Sequence, residues 1–141
     1  MSRKDTYHDT VKRALVKDDW RVTHDPFPII YRGTSLSTDL GAKKVSGTAT
    51  EQIAIEIIAV EVKDFDSHQM MSEFEKALGQ YRLYRSLLDR NEPARVLFLA
   101  IRDEVWREFF QRPAIQAAVS DNHVYLVVFD ELQEEILQWI K

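Results

Sequence analysis

Glu61 and Lys63 stand two residues apart at the end of an eleven-residue, mostly apolar run, Ile53 to Lys63 (IAIEIIAVEVK). Residues i and i+2 of an extended chain share a face, so a carboxylate and an amine project together from the strand end. A third group joins them by register. Asp39 and Glu61 lie on segments that should form an antiparallel hairpin, where opposed residues have a constant sum of numbers; the turn then centres near residue 50, inside the polar stretch 46–52. Directly opposed side chains have Cβ atoms about 4.5–5.5 Å apart. Two carboxylates that close repel unless a divalent cation or a shared proton sits between them. Carboxylate oxygens with waters completing an octahedron suit Mg²⁺ or Mn²⁺. Lys63 could then orient or deprotonate a water, or stabilise charge on a phosphoryl oxygen. The alternative is an ion-pair network of Asp39, Glu61 and Lys63 inside a structural core. The acid-x-Lys spacing is weak evidence alone, since about one such pair is expected by chance in this composition.

The elements that must position these groups follow from periodicity. Both faces of 53–63 are mainly apolar, as in a central strand covered on each side. Before it, residues 4–18 read as an amphipathic helix, with Tyr7, Val11, Ala14 and Leu15 on one face; Asp5 and Asp9 lie in its first turns. Residues 20–23 read as a short extended piece, 27–32 as a strand, Gly33 to Ser35 as a turn, and 36–45 as a second strand with Asp39 near its beginning. After it, 67–89 is the strongest helical pattern, stopped at Asn91-Glu92-Pro93. Residues 95–101 form a buried strand, 105–110 a short helix, Pro113 opens another, 123–129 is a strand, and 134–140 is an edge strand or a short helix. The prediction is a single α/β (α+β) domain over residues 1–141, with three layers and a mixed central sheet.

Composition limits what the domain can do. The chain has 141 residues, 45% hydrophobic, no cysteine and a formal charge of −4. Absent cysteine excludes a thiolate metal site or a Cys nucleophile. The polar N-terminus and the lack of any apolar run near 20 residues predict a soluble cytoplasmic protein. Nine Lys/Arg against six Asp/Glu in residues 1–50 leave a basic N-terminal third on an acidic chain, which argues against non-specific DNA binding but permits a local patch. Lys43-Lys44 and Arg82-Arg85 are candidates for such phosphate contacts. His8, His24, His68 and His123 lack metal-ligand spacing. Glu56 falls on the other face of the strand and reads as a paired structural acid, and Trp20, Trp106 and Trp139 as core or interface anchors. Four glycines without a phosphate-cradling loop make a nucleotide cofactor improbable.

Asp39 followed by Glu61-Val62-Lys63, on a helix–strand–strand–strand–helix–strand order, resembles the PD-(D/E)xK nuclease superfamily, the restriction-endonuclease-like fold. Thr38 replaces the proline that often precedes the first acid. Gln80 and Tyr84 match the Q-x-x-x-Y pattern of the RecB-like branch. That resemblance implies Asp39, Glu61 and the Val62 carbonyl as ligands of Mg²⁺ or Mn²⁺, Lys63 activating water, and Gln80 positioning water or phosphate. His8, Asp9 and Tyr84 would be accessory. More narrowly, Tyr7–Lys12 (YHDTVK), Thr23–Pro26 (THDP), Asp39–Ala42 (DLGA), Val60–Lys63 (VEVK) and Lys76–Tyr81 (KALGQY) resemble the XisH family, the fdxN-element excision controlling factors of cyanobacteria. It implies a role in controlling a DNA excision during heterocyst differentiation, DNA as a partner, and a XisI-type companion protein. Two activities are compatible with it: a metal-dependent nuclease, or a catalytically inactive regulator that keeps the fold. A homodimer follows by analogy with nucleases that cut two strands.

Overall fold

The computed structural model describes residues 6–48, 50–65 and 68–141. Lys4 and Asp5 of the predicted first helix, and Ser67 of the second, lie outside the described residues. The elements in chain order are α1 (His8–Lys17), β1 (Arg21–His24), β2 (Phe27–Tyr31), β3 (Thr34–Thr38), β4 (Leu40–Gly47), β5 (Gln52–Val62), α2 (Met70–Asn91), β6 (Arg95–Arg102), α3 (Asp103–Glu108), α4 (Pro113–Asp121), β7 (Leu126–Asp130) and β8 (Glu135–Ile140). A six-stranded mixed sheet runs β1-β4-β5-β6-β7-β8, and β2-β3 forms a separate ribbon. The β5–β6 and β6–β7 pairs are parallel, the others antiparallel.

The alternation read from the sequence divides two cores. Ile58, Val60 and Val62 of β5, with Phe98 and Ala100 of β6, pack under α1 residues Val11 and Leu15. Ala59, Leu97 and Leu99 face the other way, against Phe74, Ala77, Tyr81 and Leu88 of α2. Alternate side chains thus bury both faces of the central strands. Tyr81 links helix to sheet: its hydroxyl donates to the Leu97 carbonyl at 2.8 Å and accepts from Tyr125 N–H at 3.0 Å. Tyr81→Phe strands both backbone groups and should cost about 1–3 kcal/mol in chemical denaturation.

Three local devices shape the entry to the sheet. Helix α1 ends where Asp19 adopts a left-handed φ of 67° and Trp20 N–H returns to the Leu15 carbonyl at 2.9 Å. Arg32 (φ 41°) and Gly33 (φ 89°) both take positive φ between Tyr31 and its partner Thr34, a two-residue hairpin turn. The turn is therefore one residue earlier than Gly33 to Ser35. Gly41 is required by close approach: a Cβ there would lie 2.7 Å from Phe27 Cδ1 and 3.2 Å from His24 Cβ. Phe27 is 5% exposed and has little room to yield, so Gly41→Ala should lower stability by about 1–3 kcal/mol, read from the thermal midpoint.

The predicted strand over 36–45 is interrupted. Residues up to Thr38 pair with β2, residues from Leu40 pair with β5, and Asp39 sits at the bend between them. The chain leaves one sheet for the other at this residue. The tail resolves as an edge strand, β8, and no described helix is long and apolar enough to cross a membrane.

Candidate active site

β4 and β5 pair from Leu40↔Val60 through Ala42↔Ile58 to Ser46↔Ala54, so the predicted register holds along the ladder. One step beyond Leu40↔Val60 it brings Asp39 to Glu61. Because the chain bends away there, Val62 N–H has no β4 carbonyl to meet. The Asp39 side chain takes its place: Oδ2 accepts from Val62 N–H at 2.7 Å, satisfying a backbone donor that burial would otherwise penalise. Lys63 lies just past β5, with its N–H donating to the Ala100 carbonyl at 3.1 Å. Its ammonium is 3.3 Å from Glu61 Oε2.

Glu61 is the electrostatic centre. Burial foremost, then the charge of Asp39 and a hydrogen bond to it, pushes its carboxyl from the usual range up to about 8, against the pull of Lys63. At neutral pH Glu61 therefore keeps its proton beside Asp39. Tyr84 and Gln80 come from α2. Gln80 Nε2 donates to the Tyr84 hydroxyl at 2.9 Å, and the Tyr84 hydroxyl is raised first by burial and then by the charges of Glu61 and Asp39. His8, buried at the start of α1, reaches Asp39 Oδ1 from its Nδ1 at 3.4 Å. Asp9 is exposed on α1, its charge felt by Lys12 and Arg13; it stands apart from the carboxylate pair.

Two carboxylates brought together at a strand end are a donor set that fits Mg²⁺ or Mn²⁺, which are held by one or two carboxylates with waters and substrate phosphate oxygens. Among the described residues, no group of three or more His, Asp or Glu is placed to hold a metal ion.

The model of the XisH protein family matches residues 1–137. The chain belongs to the XisH family. A crystal structure of an XisH family protein from Nostoc punctiforme PCC 73102 is similar at 38% identity and a TM-score of 0.86, over 97% of this chain and all of that one. A second, of a fdxN element excision controlling factor protein from Anabaena variabilis, is similar at 38% identity and a TM-score of 0.85, over 98% of this chain and all of that one. No curated protein matches.

This XisH protein carries neighbours of the trio that sequence reasoning passed over. Asp25 accepts from His8 Nε2 and from Lys12 Nζ, each at 2.7 Å; the only signal for it was its place in the THDP segment. Beside Lys63, a pocket of about 260 Å³ is lined by Asp64, Phe65, Glu73, Lys76 and Ala77. Glu73, Ala77, Gln80 and Tyr84 recur at helical spacing on α2, yet the apolar stripe concealed Glu73 as a site residue. A larger cavity, about 440 Å³, lies at the start of β6, by Arg85, Arg95 and His123. Its guanidiniums are engaged: Arg95 by Glu92 and the Ile58 carbonyl, Arg85 by the carbonyls of Asn122 and His123. Of the candidate DNA contacts, Lys44 leans over the Trp20 ring, 3.7 Å from Asp18. Both Trp20 and Trp139 direct their indole N–H to the same Asp18 carboxylate. Glu56 is exposed and lies opposite Lys44.

Proposed function

We propose that this XisH protein is a divalent-cation-dependent nuclease, or a DNA-processing factor derived from one, acting in the control of DNA excision. The observation that carries the reading is the meeting of Asp39 and Glu61 with Lys63 at the end of a buried central strand. The similarity to an Anabaena variabilis protein described as a fdxN element excision controlling factor supplies the biological direction.

Asp39 and Glu61 hold Mg²⁺ or Mn²⁺, with the Val62 carbonyl as a further oxygen donor. When bound, the cation neutralises phosphate charge and favours departure of the alkoxide. Lys63, beside Glu61, holds or removes a proton of the attacking water and faces the phosphoryl oxygens. Gln80, fixed by Tyr84, orients water or phosphate. Asp39 accepts from Val62 N–H through one oxygen, which keeps its carboxylate at the strand end.

The test is strand cleavage of single-stranded, duplex and branched DNA with Mg²⁺ or Mn²⁺, beside Lys63→Ala. Cation-dependent nicking by the parent alone supports the nuclease. Equal background in both moves the assignment to a regulator with a nuclease-like fold that binds DNA or a XisI-type companion. The small donor set, with no group of three or more His, Asp or Glu placed to hold a metal ion among the described residues, is the observation that favours this second reading.

A further inference from the structure

The segments Tyr7–Lys12 and Thr23–Pro26 contribute none of the Asp39–Glu61–Lys63 trio, yet they meet beside it. His8 is 4% exposed. Its Nε2 lies 2.7 Å from Asp25 Oδ1 and its Nδ1 3.4 Å from Asp39 Oδ1. The other oxygen of Asp25 accepts from Lys12 at 2.7 Å. His8 and Lys12 are one turn apart on α1, so one helix face grips both oxygens of a single carboxylate. At the far end, the other oxygen of Asp39 accepts from Val62 N–H. Both oxygens of both acids are thus occupied, and the imidazole between them is a rigid spacer.

We propose that His8, held by Asp25 and Lys12, is a positioning residue that sets the direction of the Asp39 carboxylate, so that α1 and the turn before β2 govern cation affinity at the strand end. A carboxylate tied only to Val62 N–H can still rotate about that bond; the imidazole edge at its second oxygen removes that freedom. The relay is braced from below. Absence of a side chain at Gly41 lets His24 and Phe27 close on β4, which fixes the turn that bears Asp25. Lys12 is 43% exposed on its side chain, so its own link is weak, and His8 with Asp25 carries the effect. The cation arm rests on the nuclease reading; the placement of Asp39 does not.

The test uses the full chain and two readouts. The first is Mn²⁺ affinity, from the resonance of free Mn²⁺ during titration. The second is the ¹H–¹⁵N signal of Val62, which reports the hydrogen bond to Asp39 with no cation present. Asp25→Ala and His8→Gln should weaken Mn²⁺ binding about tenfold, the usual size for loss of a group that orients a ligand, and should move the Val62 amide proton upfield. His8→Asn places an amide nitrogen near the position of Nδ1 and should recover most of the affinity; Lys12→Met should change it less than threefold. A Val62 signal unmoved in Asp25→Ala and His8→Gln, with Mn²⁺ affinity within twofold of the parent, overturns the proposal. Failure of the nuclease reading looks different: Asp39→Asn would bind Mn²⁺ as the parent does, and the Val62 signal would still decide the relay. Asp25 is on an exposed turn, so its variant remains informative should His8 variants fail to fold.

Discussion

Lys63→Ala should reduce cation-dependent DNA cleavage about 10²–10⁴-fold, the usual loss on removing a positioned proton-transfer group, while moving the thermal midpoint by no more than about 3 °C. The two effects separate because the backbone and side chain of Lys63 do different things. Its N–H extends the β5–β6 ladder to Ala100, and alanine keeps that bond. Its side chain is 31% exposed and its ammonium pairs with Glu61 at 3.3 Å, an arrangement that contributes about 1 kcal/mol or less to stability. Lys63 also lowers the Glu61 carboxyl from the height that burial and Asp39 impose. The residual activity of Lys63→Ala should therefore peak at higher pH than that of the parent, because Glu61 loses its proton later. Lys63→Arg should not restore the rate: a guanidinium stays protonated across the accessible range and presents a planar fork where a compact ammonium stood. Cleavage unchanged in Lys63→Ala, with Mn²⁺ present, would assign the activity to another group or to a contaminant.

The convergence of Asp39 and Glu61 was legible because an antiparallel register needs only a turn centre, and the polar stretch around residue 50 supplied one. The two-sided apolar pattern of β5 likewise announced a strand covered on both faces, which holds for Ile58 to Val60 and Val62 but fails at its start, where Ile55 is 54% exposed, and the long stripe of α2 announced its helix. The break in the strand at Asp39 was not legible, because an apolar–polar alternation carries no mark of which sheet each half joins. The break follows from tertiary competition: β2 claims residues up to Thr38, β5 claims those from Leu40, and Asp39 is left to satisfy Val62. The turn at Arg32 was hidden for a related reason, since a positive φ at a bulky residue is imposed by the hairpin twist rather than by side-chain preference. Asp25 escaped notice because it lies 14 residues before Asp39 in a proline-marked turn. Its relation to the site exists only once α1 docks across the sheet and His8 spans the two acids. Long-range pairing of polar side chains has no periodicity for a sequence to display.

Glu61→Gln should stabilise the cation-free protein at pH 8.5 by about 2 kcal/mol and abolish cation binding, a trade between fold and site. The sign follows from the folded carboxyl standing at about 8, above its ordinary value of 4.5. Folding favours the protonated form, so the stability Glu61 contributes is complete below about 4.5 and is lost as pH rises through about 8. The full shift corresponds to a ceiling of about 5 kcal/mol; relaxation of the pair and water entry reduce what denaturation will register. Glutamine keeps the shape, cannot ionise and ends the repulsion with Asp39, so its stability should be flat across the window in which the parent declines. The same proton gives a second signature. A cation entering between Asp39 and Glu61 at pH 6.5 must displace it, so calorimetry in buffers of different ionisation enthalpy should find close to one proton released per ion, falling towards zero above pH 9. Mn²⁺ binding that persists in Glu61→Gln, with the same proton count as the parent, would place the cation elsewhere on the molecule and leave the carboxylate pair as a buried acid dyad stabilised by its own hydrogen bond.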